Sequence, residues 1–421
     1  MTTHTAKEPT MTSARQTADH TTNPRRRSRR LTVAATSLIV VLTFPSACSS
    51  GESSGDPPSA PSTPAPTVVV PFTDTPPTEA PPTSAPGALE RQLTGILDTH
   101  RSNHEFVGAV LALREADGTT LTVTSGTKEM SSDSGAVDPN IPWNIGSLTK
   151  TFVAVVVLQL ADERAIDLDA PIGPYFRDLP ALAPITPRQL LQHTSGLNEY
   201  WPSAPVLQDA GREWTPTEEI GVAEAAGRVG EPGAGFHYSN TNYIVLGELI
   251  TRVTSEQWED EVRERITEPL GMRSTRLVGS DAAPGFIVAG DSLVPFDRAS
   301  VHPSVGGAAG GLQSTASDLL VFIEAVADGR LLSDRSQAEM ERFIPGEDYS
   351  QFGVEHGYGL GFETYSTDQV TAVGHMGTGA AHGSFAGFDP ETGTAVVTLI
   401  NSDMAGPQAF MAFEALEAFM S

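Results

Sequence analysis

The 421 residues are enough for one large domain or two ordinary ones, 39% of them hydrophobic and 19% charged. Twenty-six basic residues stand against 52 acidic, a net charge of -26, which argues against a nucleic-acid partner because phosphate binding needs basic surface. One cysteine excludes an intrachain disulfide framework and any Cys-based zinc cluster.

The charge is unevenly spread. Residues 1–48 hold seven basic and two acidic residues, leaving 19 basic against 50 acidic in the remainder. Arg25, Arg26, Arg27, Arg29 and Arg30 precede the largely apolar run Leu31–Phe44, and Ser46-Ala47 then precede Cys48. That run has the length of a signal-peptide core and is too short to span a bilayer comfortably. The placement of Cys48 resembles a bacterial lipoprotein signal, with Pro45 as a departure where an aliphatic residue is usual. It predicts lipidation of Cys48 and export to the outer face of the cytoplasmic membrane. An ordinary cleaved signal and secretion are the alternative; Ser28-Arg29-Arg30 fits a twin-arginine signal poorly.

Residues 49–87 carry 11 prolines among many Ser, Thr and Ala, and no Lys or Arg. Such a segment cannot bury enough apolar surface to offset its ordering entropy, so it is predicted to be a disordered linker. At ~3.1 Å per residue in polyproline II it would reach on the order of 120 Å. Gly51-Glu52-Ser53-Ser54-Gly55 matches G-x-S-x-G but lacks the strand-turn-helix context that chemistry requires.

The body spans 88–421. An amphipathic stretch, Leu89–His100, opens it, and two strand-like runs follow, Val107–Leu113 and Thr120–Ser125, with a turn at Asp117-Gly118. Residues 150–285 are richer in helical patterns. Near the C-terminus Ser384–Phe388 and Thr394–Ile400 flank a hairpin signal, and Gln408–Phe419 reads as a closing helix. The pattern predicts an α+β fold: both chain ends build one antiparallel sheet flanked by helices, and the middle forms a mostly helical lobe.

Three short stretches carry candidate chemistry. Ser147-Leu148-Thr149-Lys150 precedes the apolar helix Phe152–Leu160 and places Lys150 one turn after Ser147 on the same face. Backbone amides at that helix start can stabilise an oxyanion, and a desolvated lysine can take a proton from the hydroxyl. The competing reading is a serine cap followed by a surface lysine. After residue 48, however, Lys128 and Lys150 are the only lysines, and retaining an amine on the flank of a buried helix suits chemistry that guanidinium cannot perform. Tyr238-Ser239-Asn240 offers a phenol to shuttle protons and an amide to orient Lys150 and substrate, or simply a turn into a helix with tyrosine as a wall. Gly374-His375-Met376-Gly377-Thr378-Gly379 offers a strand that substrate backbone can approach closely, or a glycine-rich strand end with a solvated histidine.

S-x-x-K, Y-S-N and H-x-G in this order and at these separations resemble the penicillin-recognising serine hydrolases. The likeness is to the group of class C β-lactamases, D-Ala-D-Ala carboxypeptidases, D-aminopeptidases and β-lactamase-like esterases. Asn144–Phe152, Ile166–Ile172, Leu190–Leu197, Tyr238–Leu246, Ala309–Leu319 and Tyr358–Phe362 are similar to that group as well, so the resemblance covers nearly all of 90–402. It implies a β-lactamase/transpeptidase-like fold, no cofactor, Ser147 as acylated nucleophile, Lys150 as its activator and Tyr238 as proton shuttle. It further implies Asn240, His375 and Gly377 as substrate-binding residues and the Thr378 N–H as an oxyanion donor. Which of Lys150 and Tyr238 takes the first proton stays open.

Class C β-lactamases usually carry lysine where His375 stands. A histidine titrates near ~6.5 and is mostly neutral at pH 7. The residue resembles the carboxypeptidase and D-aminopeptidase members, which favours slow acylation by β-lactams over their efficient hydrolysis. His193 reads as a turn residue of His193-Thr194-Ser195-Gly196-Leu197, and Tyr200 and Trp201 as an aromatic cleft wall or plain packing. His237 and His382 lack carboxylate partners at helical spacing, so no metal site is expected. The expected function is an extracytoplasmic acyl-enzyme hydrolase of small peptides, esters or β-lactam-like molecules, D-Ala-D-Ala carboxypeptidase-like or a D-amino-acid peptidase. Its alternatives are an esterase or weak β-lactamase on the same fold, and a non-catalytic wall-binding or β-lactam-binding protein. Nothing in the sequence sets the oligomeric state.

Overall fold

Alternation along the strands at the two chain ends sets the architecture. The computed structural model describes residues 87–103, 105–290 and 292–421; the leader, Cys48 and the linker up to residue 86 lie outside them. After helix α1 (Ala88–Ser102) come β1 (Gly108–Arg114) and β2 (Thr120–Gly126). The C-terminal part supplies β3 (Ile344–Pro345), β4 (Glu355–Tyr358), β5 (Glu363–Ser366), β6 (Thr371–Gly379), β7 (His382–Phe388) and β8 (Ala395–Ile400). These make one eight-stranded sheet of order β2-β1-β8-β7-β6-β5-β4-β3, antiparallel throughout. Strands from the two ends of the described body therefore pair near one edge of the sheet, where Leu111 of β1 pairs with Thr398 of β8. The α+β expectation holds.

Each strand sends alternate side chains to opposite faces. Val110 and Ala112 of β1, with Val397 and Leu399 of β8, join the core beneath the helical lobe. Ala109, Leu111 and Leu113, with Val396 and Ile400, face a second core under α1 and the closing helix Pro407–Met420. Asp389 forms the β7–β8 turn by accepting the Glu391 and Thr392 amides at 3.0 and 2.7 Å. The strands β4 and β5 are short and carry no clean alternation, so the sequence pattern did not reveal them.

Three helices of the lobe matter most to the site: α2 (Thr149–Asp162), α3 (Thr241–Thr254) and α4 (Ala316–Ala327). Val153, Val155, Val156 and Val157 are weak helix formers, yet all four are fully buried in α2, where packing overrides propensity. Phe152 of α2 stacks on Phe322 of α4 with centroids 3.7 Å apart. The segments Trp143–Asn144 and Arg276–Leu277 pair with Leu312–Ser314 on either side, and this small sheet leads the chain into the turn that begins α2.

One buried acid costs the lobe stability. Glu219, on the helix Pro216–Ala225, is 1% exposed and its Oε1 has no hydrogen-bond partner. Burial, helped by Glu218, pushes its carboxyl up to about 9. Below the ordinary carboxyl range both folded and unfolded chains hold this proton. As pH rises from there to about 9 the unfolded chain ionises while the folded one does not, so stability is lost across that window. Glu219→Gln is expected to raise stability at pH 7 by about 1–3 kcal/mol, with the two proteins converging near pH 4, in urea unfolding measured across pH.

Candidate active site

The site starts from a lysine that the fold forces into the core. The helix α2 is apolar all round, so Lys150 in its first turn is fully buried, whereas Ser147 in the preceding 3₁₀ turn (Gly146–Leu148) is half-buried and reachable. An ammonium has three donors and each finds an acceptor: Ser147 Oγ at 2.9 Å, Asn240 Oδ1 at 2.7 Å and the Ala309 carbonyl at 2.8 Å. Burial lowers this amine to about 7, against the opposing pull of the Glu199 and Glu363 carboxylates.

Tyr238 closes the other side. Lys150 Nζ lies 5.0 Å from its ring centroid, and Ser147 is close enough to act on its phenol. Burial first, and then Glu363, hold this phenol well above its usual range, so it stays protonated. Ser147, Lys150, Tyr238 and Asn240 therefore form one cluster. A hydroxyl, an amine that is part neutral at pH 7 and a protonated phenol in mutual reach can activate a nucleophile and protonate a leaving group.

The glycines around Ser147 serve the chain's own approach more than a substrate's. Only the Glu363–Ser366 segment pairs with β6, ending at Gly374, so His375–Gly379 is paired with β7 alone and its other edge faces the Ser147 turn. A Cβ at Gly377 would sit 2.0 Å from the Ile145 carbonyl oxygen, and one at Gly379 would sit 1.8 Å from Asn144 Oδ1. Gly146 has φ +50°, and a Cβ there would lie 2.5 Å from the Thr378 carbonyl carbon. Ser384 of β7 ties the same turn down by donating to the Ile145 carbonyl at 2.7 Å. Thr378 is exposed beside this contact.

His375 is the departure. The sequence places it on a strand open to substrate, yet its imidazole is 1% exposed and both nitrogens are engaged. Nε2 meets Tyr358 Oη at 3.0 Å and Nδ1 meets the Met376 carbonyl at 2.5 Å. Burial lowers its titration below the ordinary range. His193, read from sequence as a turn residue, does have the positive φ of one (+56°), and its ring also stacks on Tyr238 with centroids 4.2 Å apart. Tyr200 is buried and donates to the Val305 carbonyl, while Trp201 is half-buried against the lobe core. His237 is exposed, and His382 is buried against backbone carbonyls of Ala283 and Ala380.

The beta-lactamase family model matches residues 89–418. The chain belongs to the beta-lactamase family. Penicillin-binding protein 4 of Amycolatopsis lactamdurans is 28% identical over 328 residues, which is 73% of this chain and 84% of that protein. Esterase EstB of Burkholderia gladioli is 28% identical over 325 residues, 63% of this chain and 79% of its own. Among solved structures, D-amino acid amidase of Ochrobactrum anthropi SV3 superposes with TM-score 0.71 at 30% identity, covering 79% of this chain and 99% of the amidase. This beta-lactamase family member is accordingly a serine hydrolase of the β-lactamase and penicillin-binding type.

Sequence reasoning missed two carboxylates. Glu199 accepts the Asn240 backbone and side-chain amides at 2.7 and 3.0 Å and the Trp201 amide at 3.0 Å, so Asn240 must turn its oxygen to Lys150. Burial raises Glu199, with these donors and Lys150 working against it. Glu363 is buried one strand behind His375. No residue spacing signals either one, because each reaches the site from a different loop or strand. Gly377→Ala is expected to lower unfolding stability by about 1–3 kcal/mol in urea titration. It should also depress hydrolase activity, because the added methyl pushes β6 off the Ile145 carbonyl.

Proposed function

We propose that this protein hydrolyses a small amide or ester through an acyl-enzyme on Ser147. The observation that carries the reading is the buried Lys150 amine 2.9 Å from Ser147 Oγ, lowered far enough to be part neutral at pH 7. Lys150 takes the hydroxyl proton, since Tyr238 is held as a neutral phenol. The Ser147 oxygen then attacks the substrate carbonyl, and the Ser147 and Thr378 N–H groups receive the oxyanion. Tyr238 gives its proton to the leaving amine or alkoxide and recovers one by way of Lys150. Water then releases the acid and regenerates the hydroxyl.

Two features favour an acyl donor with a free amino group over one with a terminal carboxylate. Both charged groups acting on Lys150 are carboxylates, Glu199 and Glu363. His375, which would have met a substrate carboxylate, is buried and neutral. The likeness to a D-amino acid amidase supports the same choice. A D-Ala-D-Ala carboxypeptidase is the second reading, supported by the similarity to penicillin-binding protein 4. The arginine-rich leader, the apolar run after it and Cys48 support export and lipid anchoring, with residues 49–87 as the spacer.

Intact-mass analysis after mixing with a D-amino acid amide, a D-Ala-D-Ala peptide, a p-nitrophenyl ester or penicillin tests the reading. An adduct on Ser147, absent in Ser147→Ala, is expected; turnover should fall by on the order of 10⁴ or more in that variant. Failure of every compound to acylate Ser147 would favour the non-catalytic binder. The rate of acylation should rise with pH through about 7, as Lys150 loses its proton. Lys150→Arg should remove this limb along with roughly 10²–10⁴ of the rate, measured by stopped-flow with the ester.

A further inference from the structure

Behind Tyr238 runs a buried chain of hydrogen bonds whose proton positions follow from its partners. Ser195 Oγ accepts the Leu197 amide at 3.0 Å and so donates to Asn242 Oδ1 at 2.5 Å. That turns Asn242 Nδ2 toward His193 Nδ1, 2.9 Å away, and the Ser239 amide donates to the same nitrogen at 3.1 Å. His193 Nδ1 is thus the acceptor, and the ring proton sits on Nε2, which donates to Tyr358 Oη at 3.1 Å. The Tyr358 hydroxyl then donates to His375 Nε2 at 3.0 Å, leaving the His375 proton on Nδ1. That proton faces the Met376 carbonyl at 2.5 Å and Glu363 Oε2 at 3.4 Å.

Glu363 ends the chain. Its Oε2 accepts the Met376 amide at 3.0 Å and the Tyr365 hydroxyl, and its Oε1 lies 3.5 Å from His356 Nε2. The His356 Nδ1 accepts the Glu347 amide at 2.8 Å, which puts the ring proton on Nε2, a buried nitrogen that makes no hydrogen bond. Burial works to raise Glu363, but the two imidazoles and the Tyr365 hydroxyl outweigh it and bring the group down to about 2. It is therefore a fixed negative charge at any pH where the enzyme works.

We propose that Glu363 is a positioning residue for the Ser147–Lys150–Tyr238 centre. Through His375, Tyr358 and His193 it locks the surface on which the Tyr238 ring rests, and it places a buried carboxylate at the inner end of that chain. Tyr238 stacks on His193 and meets the Tyr358 ring edge-on at 6.1 Å, so both inner members of the chain touch it. The other groups facing Lys150 are Glu199, the rings of Tyr238 and Tyr243, and the neutral His193 and His375. Glu363 and Glu199 are the two charges among them.

The proposal rests on the acyl-enzyme reading, and it has a sign that does not depend on which group is the first base. Removing a negative charge lowers the titration of an ammonium and of a phenol alike. With the p-nitrophenyl ester, Glu363→Gln is expected to move the acidic limb of the acylation profile to lower pH by about half a unit or more. Glu363→Asp should leave the limb in place. Tyr358→Phe breaks the chain but keeps the charge, so it should cost roughly ten- to a hundredfold in rate without moving the limb. An unmoved limb in Glu363→Gln, or an equal shift in Tyr358→Phe, overturns the assignment. A second measurement stands apart from catalysis and from the folding of any variant. Long-range ¹⁵N spectra of the wild-type protein should show His193 protonated on Nε2 and His375 on Nδ1; the opposite tautomer at either residue overturns the chain even if Ser147 is never acylated.

Discussion

Everything at this site follows from placing one ammonium group where water cannot reach it. Lys150 sits in the first turn of a helix that is apolar on every side, so its charge is not stabilised by solvent. The fold compensates with three acceptors drawn from three places: the turn before the helix, the start of α3 and the Gly307–Gly310 segment. Three acceptors are enough to hold the amine still, and burial still keeps its titration far below that of a surface lysine. Rigidity and a proton that is easily given up are the two properties a base needs, and the same burial supplies both.

The surrounding carboxylates balance that burial. Glu199 and Glu363 both favour the charged amine, and neither forms an ion pair with it; one acts past Asn240 and the other from behind β6. A direct ion pair would hold the proton on Lys150 too firmly for a base. Distance weakens each attraction while leaving the sum large enough to keep the amine near neutrality.

The contact between β6 and the Ser147 turn is steric in origin. Three glycines, Gly146, Gly377 and Gly379, stand where backbone meets backbone, and a Cβ at any of them would overlap a neighbouring atom. The tight join puts the exposed Thr378 beside the half-buried Ser147. Glycine here is a matter of the protein closing on itself, which explains why His375, two residues before Gly377, points into packed interior instead of open cleft.

Much of this was legible in the chain. The strands near both ends alternate cleanly, so the sheet that joins them and its flanking helices could be read directly. The serine and lysine could be singled out because S-x-x-K falls one helical turn apart at the head of an almost wholly apolar segment and lysine is otherwise so scarce, whereas the tyrosine's role came from the resemblance that Y-S-N carries. Local spacing carries that kind of information, since a helix fixes which neighbours share a face. The burial of His375, the role of the glycines, Glu199, and the His193–Tyr358–His375–Glu363 chain were decided by tertiary structure alone. Neighbours in that chain are separated by as few as 12 positions, for Glu363 and His375, and as many as 165, for His193 and Tyr358, and no periodicity in a single chain specifies which of these side chains a packed sheet and lobe will press together.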